Sequence, residues 1–406
     1  MGIGEVVRWL GRRVRHPVRS LYQAVSRLPE GRLRTRLLGF PSEAALLSRL
    51  DEIAGGEEVW IFPAPSCPWG YLFQRPQQFA RAVARSGRTT LYCVDATSML
   101  EPDVSVRGLR EVEARLYLFN DGLGGRALSR LGNPITVWQY WPHQAAFVRS
   151  LPPGRRVVYD VIDHVDVFQP YPDIEKDFRE SLESADVALA TAKALYEETQ
   201  QDRPDVLLTP NAVCYQDFAE PQATDWPEVA AIRKESQVLV TYYGALADWV
   251  DFDLVKHCAQ ALPGWTFLMV GYPYPGVIER ERPQDTPGIR VLPAAPYERL
   301  PWLLKVSDVA IIPFKINDIT RNTSPVKLFE YMAAGKPVVT TDLPECRRYE
   351  PVAVAGNAEE FVEMLRQARE KADDMKRVER LRSCAQEHTW QARLQGVLEA
   401  LEDRAR

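Results

Sequence analysis

Residues 323–339 read TSPVKLFEYMAAGKPVV, and their first positions carry groups that could hold a ligand. Ser324 can cap a helix, and Pro325 suits the first helical position, whose N–H has no partner to lose. A helix start leaves amide donors free and carries a partial positive charge, so an anion fits there. Lys327 adds a full charge, and Lys315 and Arg321 stand just upstream. Glu330 follows Lys327 by three residues and shares its helix face. A carboxylate cannot serve phosphates, but it can accept hydrogen bonds from two neighbouring hydroxyls, as on a ribose. The set describes a nucleoside diphosphate. The plainer alternative is a capped helix with an i,i+3 ion pair on a solvated face.

Other residues could take part in chemistry. Asp163 and His164 close the apolar run RRVVYDVID, and His143 follows WQYWP; each stands at a strand end and could move a proton or steady a charge. Either histidine could equally be structural. Trp69, Tyr71 and Phe73 flank Gly70 and could stack on a sugar ring or fill core. Asp251-Phe252-Asp253 looks like a metal-binding pair, but Asp251 also precedes an amphipathic helix and would cap it. The sequon Asn322-Thr323-Ser324 has no meaning at a ligand site of a cytosolic protein.

These groups need a frame, and the hydrophobic pattern supplies one. Apolar strands alternate with helices from about residue 57 to 215: EEVWIFPAP, TTLYCVD, RLYLFN, PITVWQYW, RRVVYDVID, DVALAT and DVLLTPNAV are the strands. Strands this continuously apolar belong to a parallel sheet covered on both faces. Residues 216–236 are polar and carry prolines, as a linker would. The alternation then restarts with QVLVTYYG, TFLMVG, IRVLP, DVAIIPF and PVVTT, and the chain closes on the helix EHTWQARLQGVLEALEDR. Two such halves predict a cleft, with ligands beyond the carboxyl ends of the strands.

Composition narrows the partners. A length of 406 residues suits two domains, and 46% apolar with 26% charged residues is globular. A net charge of -5 argues against nucleic acid. The six cysteines form no CxxC pair, so neither a zinc site nor a disulfide framework is indicated, and a reducing cytoplasm is expected. No apolar run approaches the roughly 20 residues of a membrane span. Residues 1–40 differ from the rest: nine arginines face only Glu5 and Glu30, and apolar residues recur at helical spacing. Such a basic amphipathic helix would suit an anionic membrane surface or pack on the protein's own body.

The stretch SPVKLFEYMAAGKPVV closely resembles the donor-binding segment of GT-B-fold glycosyltransferases of the family-4-like group. WGYLFQRPQQFARAV, VVYDVIDHVDVF, LLTPNAVCYQDF, VTYYGALADWVDFDLV and HTW resemble other family segments, in the same order, over about residues 57–400. The resemblance implies an α/β GT-B fold, two doubly wound Rossmann-like domains facing across a cleft, with the closing helix crossing back to the first. The expected division is an arm at 1–50, an acceptor domain at 51–215, a linker at 216–236, a donor domain at 237–385 and the closing helix at 386–406.

It also implies a retaining, metal-independent transfer of a sugar from a nucleoside-diphosphate sugar to a glycan or lipid-linked acceptor, in cell-surface polysaccharide synthesis. No cofactor is expected beyond that co-substrate. The location would be cytoplasmic, peripheral at the inner membrane face. Carried over by position, Glu330 binds the ribose, and Ser324 with its neighbouring amides, Lys327 and Gly70 approach the diphosphate. Thr323 and Gly244 complete the donor candidates, and Asp163, His164 and His143 are the catalytic candidates by their strand-end positions. Two positions depart from the family. Asn322 stands where a sugar-contacting glutamate is frequent, and the loop Gly244–Asp248 lacks the usual Arg and Lys. The missing charge would then come from Lys327, Arg321 or Arg75. A silent binding module and a nucleotide-sugar epimerase are the alternatives to transfer.

Overall fold

The computed structural model describes residues 35, 37–65, 67, 69, 70, 73–94, 106–165 and 171–405. Most of the basic arm, through residue 34, lies outside the described residues, as does Tyr71.

The first half is an eight-stranded sheet. Its strands are β1 (Val59–Phe62), β2 (Thr89–Cys93), β3 (Gly108–Glu113), β4 (Leu116–Asn120), β5 (Ile135–Gln139), β6 (Arg156–Val161), β7 (Val187–Ala190) and β8 (Leu207–Leu208), in the order β3-β4-β2-β1-β5-β6-β7-β8. Every pairing is parallel except the hairpin β3–β4. Strands β1, β2, β5 and β7 are buried along their whole length, which is why their sequences are mostly apolar and show no strict alternation. Strand β3 has no apolar signal. It is an edge strand, and Arg110 and Glu111 face solvent.

The second half is a six-stranded, wholly parallel sheet. Strands β9 (Val238–Tyr243), β10 (Trp265–Gly271), β11 (Ile289–Pro293), β12 (Val309–Ile312), β13 (Val338–Thr341) and β14 (Ala353–Ala355) lie in the order β11-β10-β9-β12-β13-β14. The stretch 216–236 between the sheets is packed and partly helical. Phe218, Trp226 and Val229 are buried in the core of the second half.

Six helices matter for the site: α1 (Arg75–Arg85), α2 (Phe252–Ala261), α3 (Asp318–Arg321), α4 (Val326–Ala333), α5 (Met375–Glu387) and α6 (Trp390–Ala405). After α5 the chain crosses back. Val213 N donates to His388 O at 3.0 Å and Trp390 N to Val213 O at 3.2 Å, so the outgoing and returning strands run side by side. Helix α6 then packs on the first half. Trp390, Leu394, Val397 and Leu401 are buried there with Trp60, Phe79 and Trp138, and the Trp390 ring meets Phe79 edge-on at 5.0 Å. This is the expected GT-B plan.

Candidate active site

A cavity of about 530 Å³ opens between the carboxyl ends of the two sheets. Helix α4 begins on its wall. The residue at the cap position is Pro325, in extended backbone, and no side chain caps the helix. Ser324, expected as the cap, is instead buried and turned toward the first half. Asn211 N donates to its Oγ at 3.3 Å, and Asn211 Nδ2 donates to its carbonyl at 2.5 Å. Leu328 N donates to Pro325 O at 3.1 Å, and the amides of Val326 and Lys327, both on the cavity wall, stay available.

Lys327 runs from α4 beneath the loop that follows β9. Its Nζ lies 5.3 Å from the Tyr242 ring centroid and 4.9 Å from that of Phe314. Gly244 has φ +137°, a conformation that favours glycine, and a Cβ there would stand 3.1 Å from Lys327 Cε and 3.2 Å from Nζ. Lys327 thus brings a cation to a loop that carries none. It forms no ion pair among the described residues. Burial lowers its pKa to about 8, against the opposing pull of Glu330.

Glu330 is 4% exposed and lines the same cavity. Tyr243 donates its hydroxyl to Glu330 Oε2 at 2.6 Å. Burial raises the carboxyl to about 7, and the Tyr243 bond and Lys327 restrain the rise. An ammonium and free amides therefore stand at one end of α4, with a hydrogen-bonded carboxylate one turn on.

The first half contributes Asp163, half-buried on the opposing wall with Tyr274 of the second half. It has no hydrogen-bond or ion-pair partner among the described residues, and burial raises its pKa to about 6. Arg75 also lines the cavity, but its charge is spent. Nε and Nη2 donate to Asp160 at 2.7 and 2.9 Å, and the guanidinium lies over the Phe79 ring at 4.7 Å. Arg75 is a structural cation, and the expectation that it faces phosphate is corrected.

Apart from Phe73 and Thr323, the other expected residues lie off the cavity. His164 Nε2 meets Glu198 Oε1 at 3.1 Å on the surface. His143 stacks on Tyr171 at 4.8 Å and beside Trp141, and burial lowers its pKa. Gly70 uses its carbonyl to accept from Tyr297 N at 3.3 Å, joining the halves. Trp69 and Phe73 continue that seam, with Phe73 stacked on Tyr297 at 4.7 Å and Trp69 edge-on to Phe73 at 5.0 Å. Arg321 is exposed on α3, and Asn322 Nδ2 donates to Asp318 O at 3.0 Å. Thr323 is on the cavity wall, though its hydroxyl donates to Ile319 O at 2.9 Å. Asp251 caps α2 by accepting from Leu254 N at 2.9 Å, and no cluster of three or more metal-ligating side chains occurs among the described residues.

Tyr242, Tyr243 and Asn211 escaped the sequence reading. The tyrosine pair ends a strand just before Gly244, which marks it as a cleft edge. Asn211, in TPNAV, has no such signal, because its partner lies 113 residues away.

Residues 253–399 match the family described as Glycosyl transferase-like. Over 169 residues the chain is 29% identical to TuaH of Bacillus subtilis (strain 168), named as a teichuronic acid biosynthesis glycosyltransferase. That match spans 40% of this chain and 42% of the relative. Among solved structures, trehalose-6-phosphate from E. coli bound with UDP-2-fluoro glucose, as it is titled, superposes with a TM-score of 0.64 at 12% identity, covering 85% of this chain and 99% of that one. Anabaena HepE in complex with UDP superposes with a TM-score of 0.56 at 13% identity, covering 86% and 100%. At these identities the likeness is one of fold.

Proposed function

We propose that this chain, a glycosyltransferase of the GT-B fold, moves a sugar from a nucleoside-diphosphate sugar to a glycan or lipid-linked acceptor in cell-surface polysaccharide synthesis, with retention at the anomeric carbon. The observation that carries the donor assignment is the pairing on α4. Lys327 lies against Gly244 and forms no ion pair among the described residues, and Glu330 is held by Tyr243 one turn further. The diphosphate would lie at the start of α4 and the ribose hydroxyls at Glu330. Two neighbours in fold support a nucleotide sugar by what they hold, UDP in one and UDP-2-fluoro glucose in the other. TuaH, by its name, supports the cell-envelope setting.

Chemistry follows from where charge develops. As the bond from the anomeric carbon to the diphosphate oxygen breaks, its electron pair stays on the diphosphate. Lys327 and the α4 amides stabilise that growing charge in a site shielded from water. The acceptor hydroxyl forms the new bond on the same face and passes its proton to the departing diphosphate oxygen. Asp163, on the first half, would steady the cationic sugar and orient the acceptor. The nucleotide sugar is the co-substrate; no further cofactor is invoked, and Lys327 takes the neutralising role.

No helix among the described residues is long and apolar enough to cross a membrane. A peripheral seat at the inner membrane face rests on the basic arm, and deletion of residues 1–40 should weaken binding to anionic vesicles. The test of the donor site is a thermal-shift screen with UDP, GDP, dTDP and their sugars, since a ligand that binds only the native state raises the melting point. Glu330→Ala should abolish the shift. Unchanged binding in that variant would refute the site. Full-strength binding without transfer to any acceptor would make the chain a binding module.

A further inference from the structure

The residue just before the cap of the donor helix is held from the opposite domain. Asn211, 9% exposed at the end of the first half, grips Ser324 twice, through its backbone N–H to Oγ at 3.3 Å and its Nδ2 to the carbonyl at 2.5 Å. The amide of Asn211 is itself oriented. Arg75 Nη1 donates to Asn211 Oδ1 at 3.2 Å, so the oxygen faces the guanidinium and the Nδ2 must face Ser324. Arg75 is fixed in turn by its two bonds to Asp160, whose Oδ2 also accepts from Trp138 Nε1 at 3.0 Å. The chain Asp160–Arg75–Asn211–Ser324 thus runs from β6 to the residue just before the cap of α4, and all four side chains are buried. Asp160 stands three residues before Asp163 on the same strand end.

We infer that Asn211 is a positioning residue for the donor. It sets the first turn of α4 from the first half, so the diphosphate site is complete only when the two halves are joined through this clamp. The inference rests on the donor site being at α4. Without the Nδ2 bond, the Ser324 carbonyl loses a buried donor, and the α4 amides and Lys327 are no longer held in register with the loop at Gly244.

The full-length chain tests this with Asn211→Asp and Asn211→Ala. Asn211→Asp is isosteric and keeps an acceptor for Arg75 and the backbone N–H bond to Ser324 Oγ, but its side chain cannot donate to the Ser324 carbonyl. Calorimetric affinity for UDP, GDP and dTDP, measured on whichever binds, should fall about ten-fold in both variants, the worth of one or two buried hydrogen bonds. In transfer assays the donor KM should rise by a similar factor, while the acceptor KM and kcat move less than about two-fold. Mere loss of folded protein would lower kcat and leave both KM values alone. Ser324→Ala, which removes only the longer of the two bonds, should weaken donor binding less than either. Unchanged nucleotide affinity in both Asn211 variants, with normal binding by the natural chain, overturns the clamp and leaves the donor site standing. Absence of nucleotide binding in the natural chain overturns both.

Discussion

Arg75 and Lys327 line one cavity from opposite halves, and the fold treats their charges in opposite ways. Arg75 sits between both oxygens of Asp160 and a ring face, buried with its counter-ion. Lys327 has two aromatic rings around its stem and ammonium, and no ion-pair partner among the described residues. A buried pair of the first kind adds little net stability, but removing one member leaves a stranded charge. A desolvated cation of the second kind gains only when a ligand brings an anion. The first half therefore uses its cation to hold structure, and the second keeps its cation for a guest.

Each side of that contrast can be broken. The largest expected effect is Arg75→Ala, which should cost about 3–5 kcal/mol of unfolding free energy in urea titration by stranding Asp160. A loss below about 1 kcal/mol would place Arg75 with the exposed, weakly coupled charges. Next is Lys327→Met. Nucleotide affinity should fall about 10–100-fold, the worth of a hydrogen bond to a charged group, while thermal stability without ligand holds or rises. A variant that binds normally would put the diphosphate elsewhere.

The pH dependence should sharpen the same contrast. Glu330, raised to about 7, holds its proton in the folded state where the unfolded chain has lost it, so stability falls as pH rises toward about 7. Lys327, lowered to about 8, sheds its proton in the folded state first, so stability recovers as pH rises above about 8. Nucleotide binding needs the ammonium and the carboxylate together. It should be strongest between about pH 7 and 8 and decline on both sides, and Glu330→Gln should flatten the acid limb. A profile flat across this range would remove both groups from the site.

Smaller effects mark the edges. Gly244→Ala puts a Cβ 3.1 Å from Lys327 Cε in a strained backbone, and a several-fold loss of nucleotide affinity is expected from calorimetry. The smallest is Asp251→Ala, expected to cost about 1 kcal/mol as a lost helix cap and to leave transfer unchanged with or without EDTA. Metal-dependent turnover lost in that variant would revive the metal pair at 251–253.

The fold was legible because parallel sheets announce themselves. β1, β7 and β12 are unbroken apolar runs, and the closing helix shows Trp390, Leu394, Val397 and Leu401 at helical spacing. β3 was illegible for the converse reason, being an edge strand with charged residues in solvent. At the site, Lys327 and Glu330 could be read because one turn of helix puts them on one face. Ser324 was misassigned because capping is a local rule, and Asn211 outbids it from the other half. His143 and His164 were plausible by strand-end position, yet stacking on Tyr171 and pairing with Glu198 take them off the cavity.

The sequence by itself determined the two α/β halves, the donor helix and the spacing of its charged face, since these follow from periodicity within one segment. Only the tertiary structure decided which charges are spent and which are kept. Arg75 meets Asp160 across 85 residues and Glu330 meets Tyr243 across 87. Whether a buried charge is neutralised depends on a partner a few ångströms away, and nothing in the local pattern records that distance.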